Sequence, residues 1–138
     1  MILLDTNVIS ELSKRAPNAM VSGWLDKNEA EGIWTSAITV AELRAGLADL
    51  PDGKRKSDLV QLIGELLERF GRSPVSFDAL AAEAYAVLVT SRKKRGRPME
   101  PFDALIAAIA LSHGLTLATL NTKDFEGIDG LKLIDPSA

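Results

Sequence analysis

Four carboxylates, Asp5, Glu42, Asp103 and Asp124, stand in this 138-residue chain where side chains could do chemistry. Asp5 ends the apolar run Met1-Ile2-Leu3-Leu4. Glu42 closes Thr39-Val40-Ala41-Glu42, Asp103 follows Pro101-Phe102, and Asp124 comes shortly after the apolar stretch from Leu115 to Leu120. Each acid has a local reading. Asp5, Thr6 or Asn7 caps a helix. Glu42 completes a capping box with Thr39. Asp103 complements a helix dipole, and Asp124 forms an Asx-turn or cap. Brought together, the four would behave differently. Two carboxylates about 4 Å apart at an effective dielectric of about 20 repel by roughly 4 kcal/mol, so a cluster must take up protons or a cation. With oxygen donors, no cysteine and a single histidine, the ions that fit are magnesium or manganese rather than zinc. Such ions activate water and polarise a phosphoryl oxygen, so the expected chemistry is metal-dependent phosphodiester hydrolysis.

Gathering these acids is the task of the intervening elements. The opening apolar run reads as a buried strand, and Gly32-Ile33-Trp34-Thr35-Ser36 as a second. Leu115 to Leu120 reads as a third and Leu131 to Ile134 as the last, with a short extended link or strand at Val75 to Phe77. Between them lie helical patterns. Val8, Ile9 and Leu12 share one face. Met20, Val21, Trp24 and Leu25 follow Pro17, which suits a first helical turn. Leu43 and Leu47 follow Thr39. The Lys54-Arg55-Lys56 triplet falls in a break, after which Ser57 caps an amphipathic helix running from Leu59 to Phe70 and stopped by Gly71. Asp78 caps the next helix, with Leu80, Ala84, Val87 and Leu88 inward. Pro101-Phe102-Asp103 opens a helix apolar nearly all round, ended by His113-Gly114. Strands alternating with helices predict an α/β fold, a single domain over 1–138 with a central parallel sheet of four to five strands and helices on both faces. Right-handed crossovers put the carboxyl ends of the strands on one side, where α/β ligands bind.

The totals narrow the options. The longest unbroken apolar stretch, Ala104 to Leu111, is far short of the roughly 20 residues of a membrane span. The N-terminus lacks a basic leader, and the absence of cysteine fits a reducing compartment, so a cytoplasmic protein with no membrane partner is expected. The formal charge is −3, which argues against a nucleic-acid partner on average. Setting the four acids aside as cation ligands leaves 15 acids against 16 bases, five of them in the run Arg92, Lys93, Lys94, Arg95 and Arg97. That run reads either as a solvated helix end or as an edge holding RNA phosphates.

The ordered set Ile2-Leu3-Leu4-Asp5-Thr6-Asn7, Thr39-Val40-Ala41-Glu42-Leu43, Phe102-Asp103-Ala104-Leu105-Ile106-Ala107-Ala108 and Leu117-Ala118-Thr119-Leu120-Asn121-Thr122-Lys123-Asp124-Phe125 resembles the PIN-domain ribonucleases, and within them the VapC-type toxins of bacterial toxin–antitoxin pairs. The resemblance spans nearly the whole chain. It implies that Asp5, Glu42, Asp103 and Asp124 hold one or two Mg2+ or Mn2+ ions, with Thr6 and Asn121 assisting. It also implies an RNA substrate, a homodimer and a cognate antitoxin protein that covers the groove. Other classes fit less well. A haloacid-dehalogenase-type phosphohydrolase needs a second Asp where Asn7 stands. A serine hydrolase would depend on His113 and has no nucleophile elbow here. The remaining alternative is a non-catalytic module with a PIN-like fold that binds RNA or a protein partner.

Overall fold

Ile2–Leu4 form strand β1, around which the sheet assembles. The computed structural model describes residues 1–138. β2 is Ile33–Thr35, β3 Thr116–Ala118 and β4 Leu133–Ile134, in the order β2-β1-β3-β4. All three pairings are parallel, with Leu3 opposite both Trp34 and Leu117. The expected sheet of four to five strands has four, and the link at Val75 adds one parallel bridge to Ser36 beside β2.

Strand side chains alternate between faces, and the two faces carry separate cores. Ile2, Leu4 and Ala118 pack with α1 (Thr6–Leu12), α2 (Ala19–Asn28), α3 (Ala37–Ala48) and α4 (Lys54–Phe70), which contribute Val8, Val21, Leu43 and Ile63 among others. Leu3 and Leu117 pack with α5 (Ala79–Lys94) and α6 (Pro101–His113). Helices therefore cover both faces. In α6, Ala104, Ala107, Ala108 and Ala110 are buried with Ile106 and Ile109, and these small side chains let α5 pack closely against it. Pro101 occupies its first turn, and Gly114, at φ 63°, closes it in the left-handed conformation that glycine adopts without penalty.

Several helix boundaries differ from the sequence reading. α2 begins at Ala19 and is capped by Asn18, whose Oδ1 accepts from the Met20 amide at 2.8 Å; Pro17 lies outside it. α3 begins at Ala37 because Ser36 caps it, accepting from the Thr39 amide at 3.0 Å. Thr39 and Glu42 thus lie inside the helix, and the expected capping box does not form. α4 starts at Lys54 after Gly53, so the basic triplet makes its first turn and Ser57 caps nothing. β3 ends at Ala118, two residues before Leu120.

The inward face of α5 also differs. Leu80 is 59% exposed and Val87 is 73% exposed, whereas Ala81, Leu88 and Arg92 are buried. The spacing of 81, 88 and 92 follows a helical stripe that includes a charged residue, and a purely apolar criterion passes it over. Leu88→Ala is expected to cost about 2–5 kcal/mol in urea unfolding and Val87→Ala less than about 0.5 kcal/mol. Equal losses would mean that the two side chains are equally buried and that the inward face lies elsewhere.

Candidate active site

β1 ends at Leu4, and Asp5 emerges at the carboxyl edge of the sheet, where it is also the cap of α1. Its Oδ1 accepts from the Thr6 amide at 2.7 Å. Its Oδ2 accepts from the Thr119 hydroxyl at 2.8 Å, and the residue is only 4% exposed. The register that sets Leu4 opposite Ala118 places Asp5 and Thr119 side by side at the ends of adjacent parallel strands. Thr119 in turn accepts from Asn7 Nδ2 at 3.2 Å and from the Asn121 amide at 3.1 Å, while Asn7 Oδ1 accepts from the Leu120 amide at 3.2 Å.

Glu42 reaches the same edge from α3. Because Ser36, rather than Thr39, caps this helix, Glu42 is free to turn toward α1, where its Oε1 accepts from the Thr6 hydroxyl at 2.8 Å. Thr39 Oγ1 lies 2.9 Å from the Thr6 oxygen and completes the contact. Asp103 enters from the first turn of α6, whose cap is Glu100; the Glu100 carboxylate accepts from the Asp103 amide at 3.0 Å. Asp5, Glu42 and Asp103 line one cleft of about 480 Å3 with Thr6, Asn7 and Asn121. Asp124, on the 3-10 turn Thr122–Phe125, lines an adjoining cleft of about 340 Å3 with Glu100 and Asp103. Asp103 borders both, so the expected site is a pair of joined hollows.

The acids act on one another across these hollows. Asp103 is pushed up to about 7, first by burial and then by the charges of Asp5, Glu100, Asp124 and Glu42. Burial also raises Asp5, against the lowering effect of the Thr119 and Thr6 hydrogen bonds, and nearby Asp124 and Glu100 add to the rise. Glu42 is raised by burial and by Asp5 and Glu100, while the Thr6 hydrogen bond opposes the change. No three acids surround a single point at ligand spacing. The donor set nonetheless suits a hard divalent cation: it is all oxygen, shaped by mutual repulsion and open on one side.

The basic run does not act as one unit. Arg92 is 6% exposed and donates to the carbonyls of Glu126 at 2.8 Å, Arg97 at 3.0 Å and Asp124 at 3.3 Å. This corrects its expected RNA-contacting role, since a guanidinium spent on three carbonyls inside the protein is closed to a phosphate. Arg95 donates to the Gly127 carbonyl at 2.8 Å. These two arginines hold the segment that carries Asp124; Arg95, unlike Arg92, stays exposed together with Lys93, Lys94 and Arg97.

Thr119, Glu100 and Asn7 are site residues that the sequence reading does not select. Thr119 has a readable signal, because it follows the third strand as Asp5 follows the first. The PIN domain family model matches residues 2–131, and the chain belongs to this family. It is 49% identical to the plasmid stability protein StbB of Pseudomonas syringae pv. tomato, over 99% of this chain and 98% of that protein. It is 44% identical to the VapC ribonuclease Y4jK of Sinorhizobium fredii, over 99% and 97%, and 43% identical to the toxin FitB of Neisseria gonorrhoeae, over 94% of each. The structure of FitAB bound to an IR36 DNA fragment superposes with a TM-score of 0.90 at 40% identity, covering 100% of this chain and 96% of that one.

The raised carboxyl of Asp103 fixes the sign of a pH effect. The folded protein holds this proton more tightly than the unfolded chain, whose ordinary value is 3.8. The resulting stability is fully present below that value and is lost as pH rises through about 7. Asp103→Asn is therefore expected to raise the melting temperature of chelated protein at about pH 8 and to flatten its decline from about pH 5. A variant melting below the parent at the higher pH would show that the charge is not repelled there.

Proposed function

We propose that this chain is a metal-dependent endoribonuclease, the toxin of a toxin–antitoxin pair, that hydrolyses RNA phosphodiester bonds at Asp5, Glu42, Asp103 and Asp124. The observation that carries the reading is the convergence of acids from β1, α3 and α6 on one cleft, with Asp103 raised to about 7 by burial and by its neighbours. Similarity to a VapC ribonuclease and to a toxin supports the reaction and the biological role.

The four acids would hold Mg2+ or Mn2+, which when bound supplies an activated water and charge stabilisation at phosphorus. The protein's own part is orientation. The Thr6 hydroxyl fixes Glu42 and the Thr6 amide fixes Asp5, so one residue sets the relation between two acids. Thr119 holds the other oxygen of Asp5, and Asn121 borders the cleft beside it. Lys93, Lys94, Arg95 and Arg97 would meet RNA phosphates near the Asp124 side; Arg97 and Lys123 already line that hollow. A cognate antitoxin, a homodimer and a cytoplasmic location complete the proposal. No helix is long and apolar enough to cross a membrane.

Cleavage of total RNA with added manganese or magnesium, stopped by chelator, tests the reaction. Asp5→Asn is expected to lower the rate by at least about a hundredfold while keeping the fold, since it removes a charge at the centre of the cation-binding set. Activity surviving in this variant would refute the assignment. Bound RNA that is never cut under either metal would instead favour a non-catalytic binding module. Thr119→Val, which frees Asp5 Oδ2 without touching its charge, is expected to cost about 10–100-fold in single-turnover rate; an unchanged rate would leave the hydroxyl with a folding role alone.

A further inference from the structure

We infer that the substrate strand lies in a second, basic groove that adjoins the acid cleft at Lys14. The groove, about 750 Å3, runs between the residues after α1 and the start of α4. Lys14, Arg15, Lys54 and Arg55 line it against one acid, Asp58. Two of the four bases are paired: Lys14 with Glu11 at 2.9 Å and Lys54 with Asp58 at 3.3 Å. The Lys54–Asp58 pair is solvent-exposed, holds little energy and exchanges readily for another anion, whereas Glu11 is largely shielded and also accepts from the Asn18 amide, so Lys14 is the less available base. Arg15 and Arg55 have no carboxylate within ion-pair distance and are exposed. A chain whose net charge is −3 thus concentrates uncompensated positive charge in one hollow.

Two further observations separate this groove from an ordinary solvated surface. Lys14 lines both the groove and the acid cleft, so the two hollows adjoin at that side chain. The cations at 54 and 55 also stand in the first turn of a helix with no acidic residue there and no capping side chain. Placing cations at that end works against the helix dipole, so helix stability does not account for them. Leu59 and Leu62 are its apolar members, and the six other lining residues are polar or charged, four of them bases that suit a phosphate backbone. With Arg97 and Lys123 in the hollow that Asp103 and Asp124 line, bases stand in both hollows that adjoin the acid cleft. A single strand laid across the cleft meets bases in each, and its phosphates are gripped while its sequence stays unread.

This placement rests on the ribonuclease reading, and its test is separate from cleavage. The probe is a fluorescein-labelled oligouridylate of about 12 nucleotides, titrated with the full chain in chelator over a range of salt and followed by anisotropy. Arg15→Glu with Arg55→Glu is expected to weaken binding at least about tenfold and to lower the slope of log affinity against log salt by about 1.4, roughly 0.7 for each phosphate that is no longer neutralised. With manganese, the same pair of changes should raise KM for long RNA and leave kcat in place. Arg15→Ala with Arg55→Ala should move in the same direction by less, and covers the case in which charge reversal disturbs folding. Unchanged affinity and slope would overturn the proposal, as would a parent protein that does not bind the probe. Retained RNA affinity together with lost capture of a co-expressed antitoxin would give the groove to the protein partner instead. Failure of the ribonuclease reading shows separately, as absence of cleavage by the parent.

Discussion

Negative charge crowded at the carboxyl edge of a parallel sheet is the constraint that orders this molecule. Burial and proximity both disfavour ionised acids, and the site meets this opposition with donors placed beforehand. Asp5 is held by an amide and a hydroxyl, and Glu42 by a hydroxyl. Asp103 has no such donor and is pushed up to about 7. The cluster is thus graded, with its best-satisfied member at the centre and its least-satisfied member on the border of the two hollows.

The scaffold supplies the rigidity that this grading needs. β1 lies between β2 and β3 and is buried on both faces, so Asp5 leaves a strand that cannot shift register without turning Leu3 and Leu4 to the wrong layers. α6 is buried through its middle, from Ile106 to Ala110, and its first turn is fixed by Pro101 and the Glu100 cap. Asp124 is the exception, carried on a short turn. Its anchors are Phe125, buried beneath it, and the Arg92 guanidinium, which grips the carbonyls on either side of that phenylalanine.

What can be read in the sequence follows from this division. Strand ends, the all-round apolar helix and the acids beside them are local patterns; Asp5, Glu42 and Asp103 line one cleft, while Asp124, expected with them, lines the adjoining hollow. Glu42 is instructive, because its local pattern argues for a capping box. The competing cap at Ser36 wins, and that shift in the start of α3 frees the side chain for Thr6. Arg92 shows the opposite failure. Within a run of bases nothing local marks the one that folds inward, since two of its carbonyl partners lie more than thirty residues away. The inward stripe of α5 escapes for the same reason: it includes that arginine, and Leu80 and Val87 look more like core than it does. Thr119 depends on pairing between β1 and β3, a contact across 114 residues.

The Thr119 hydroxyl has two lone pairs and one hydrogen. Asn7 Nδ2 and the Asn121 amide both donate to its oxygen, which fills the lone pairs and leaves the hydrogen no destination except Asp5 Oδ2. The direction of that bond is therefore dictated. With the Thr6 amide engaging the other oxygen, each oxygen of Asp5 retains one unclaimed lone pair. An incoming proton and an incoming cation must contend for those same positions, so acidity and metal occupancy at the heart of this cleft are two faces of a single exchange.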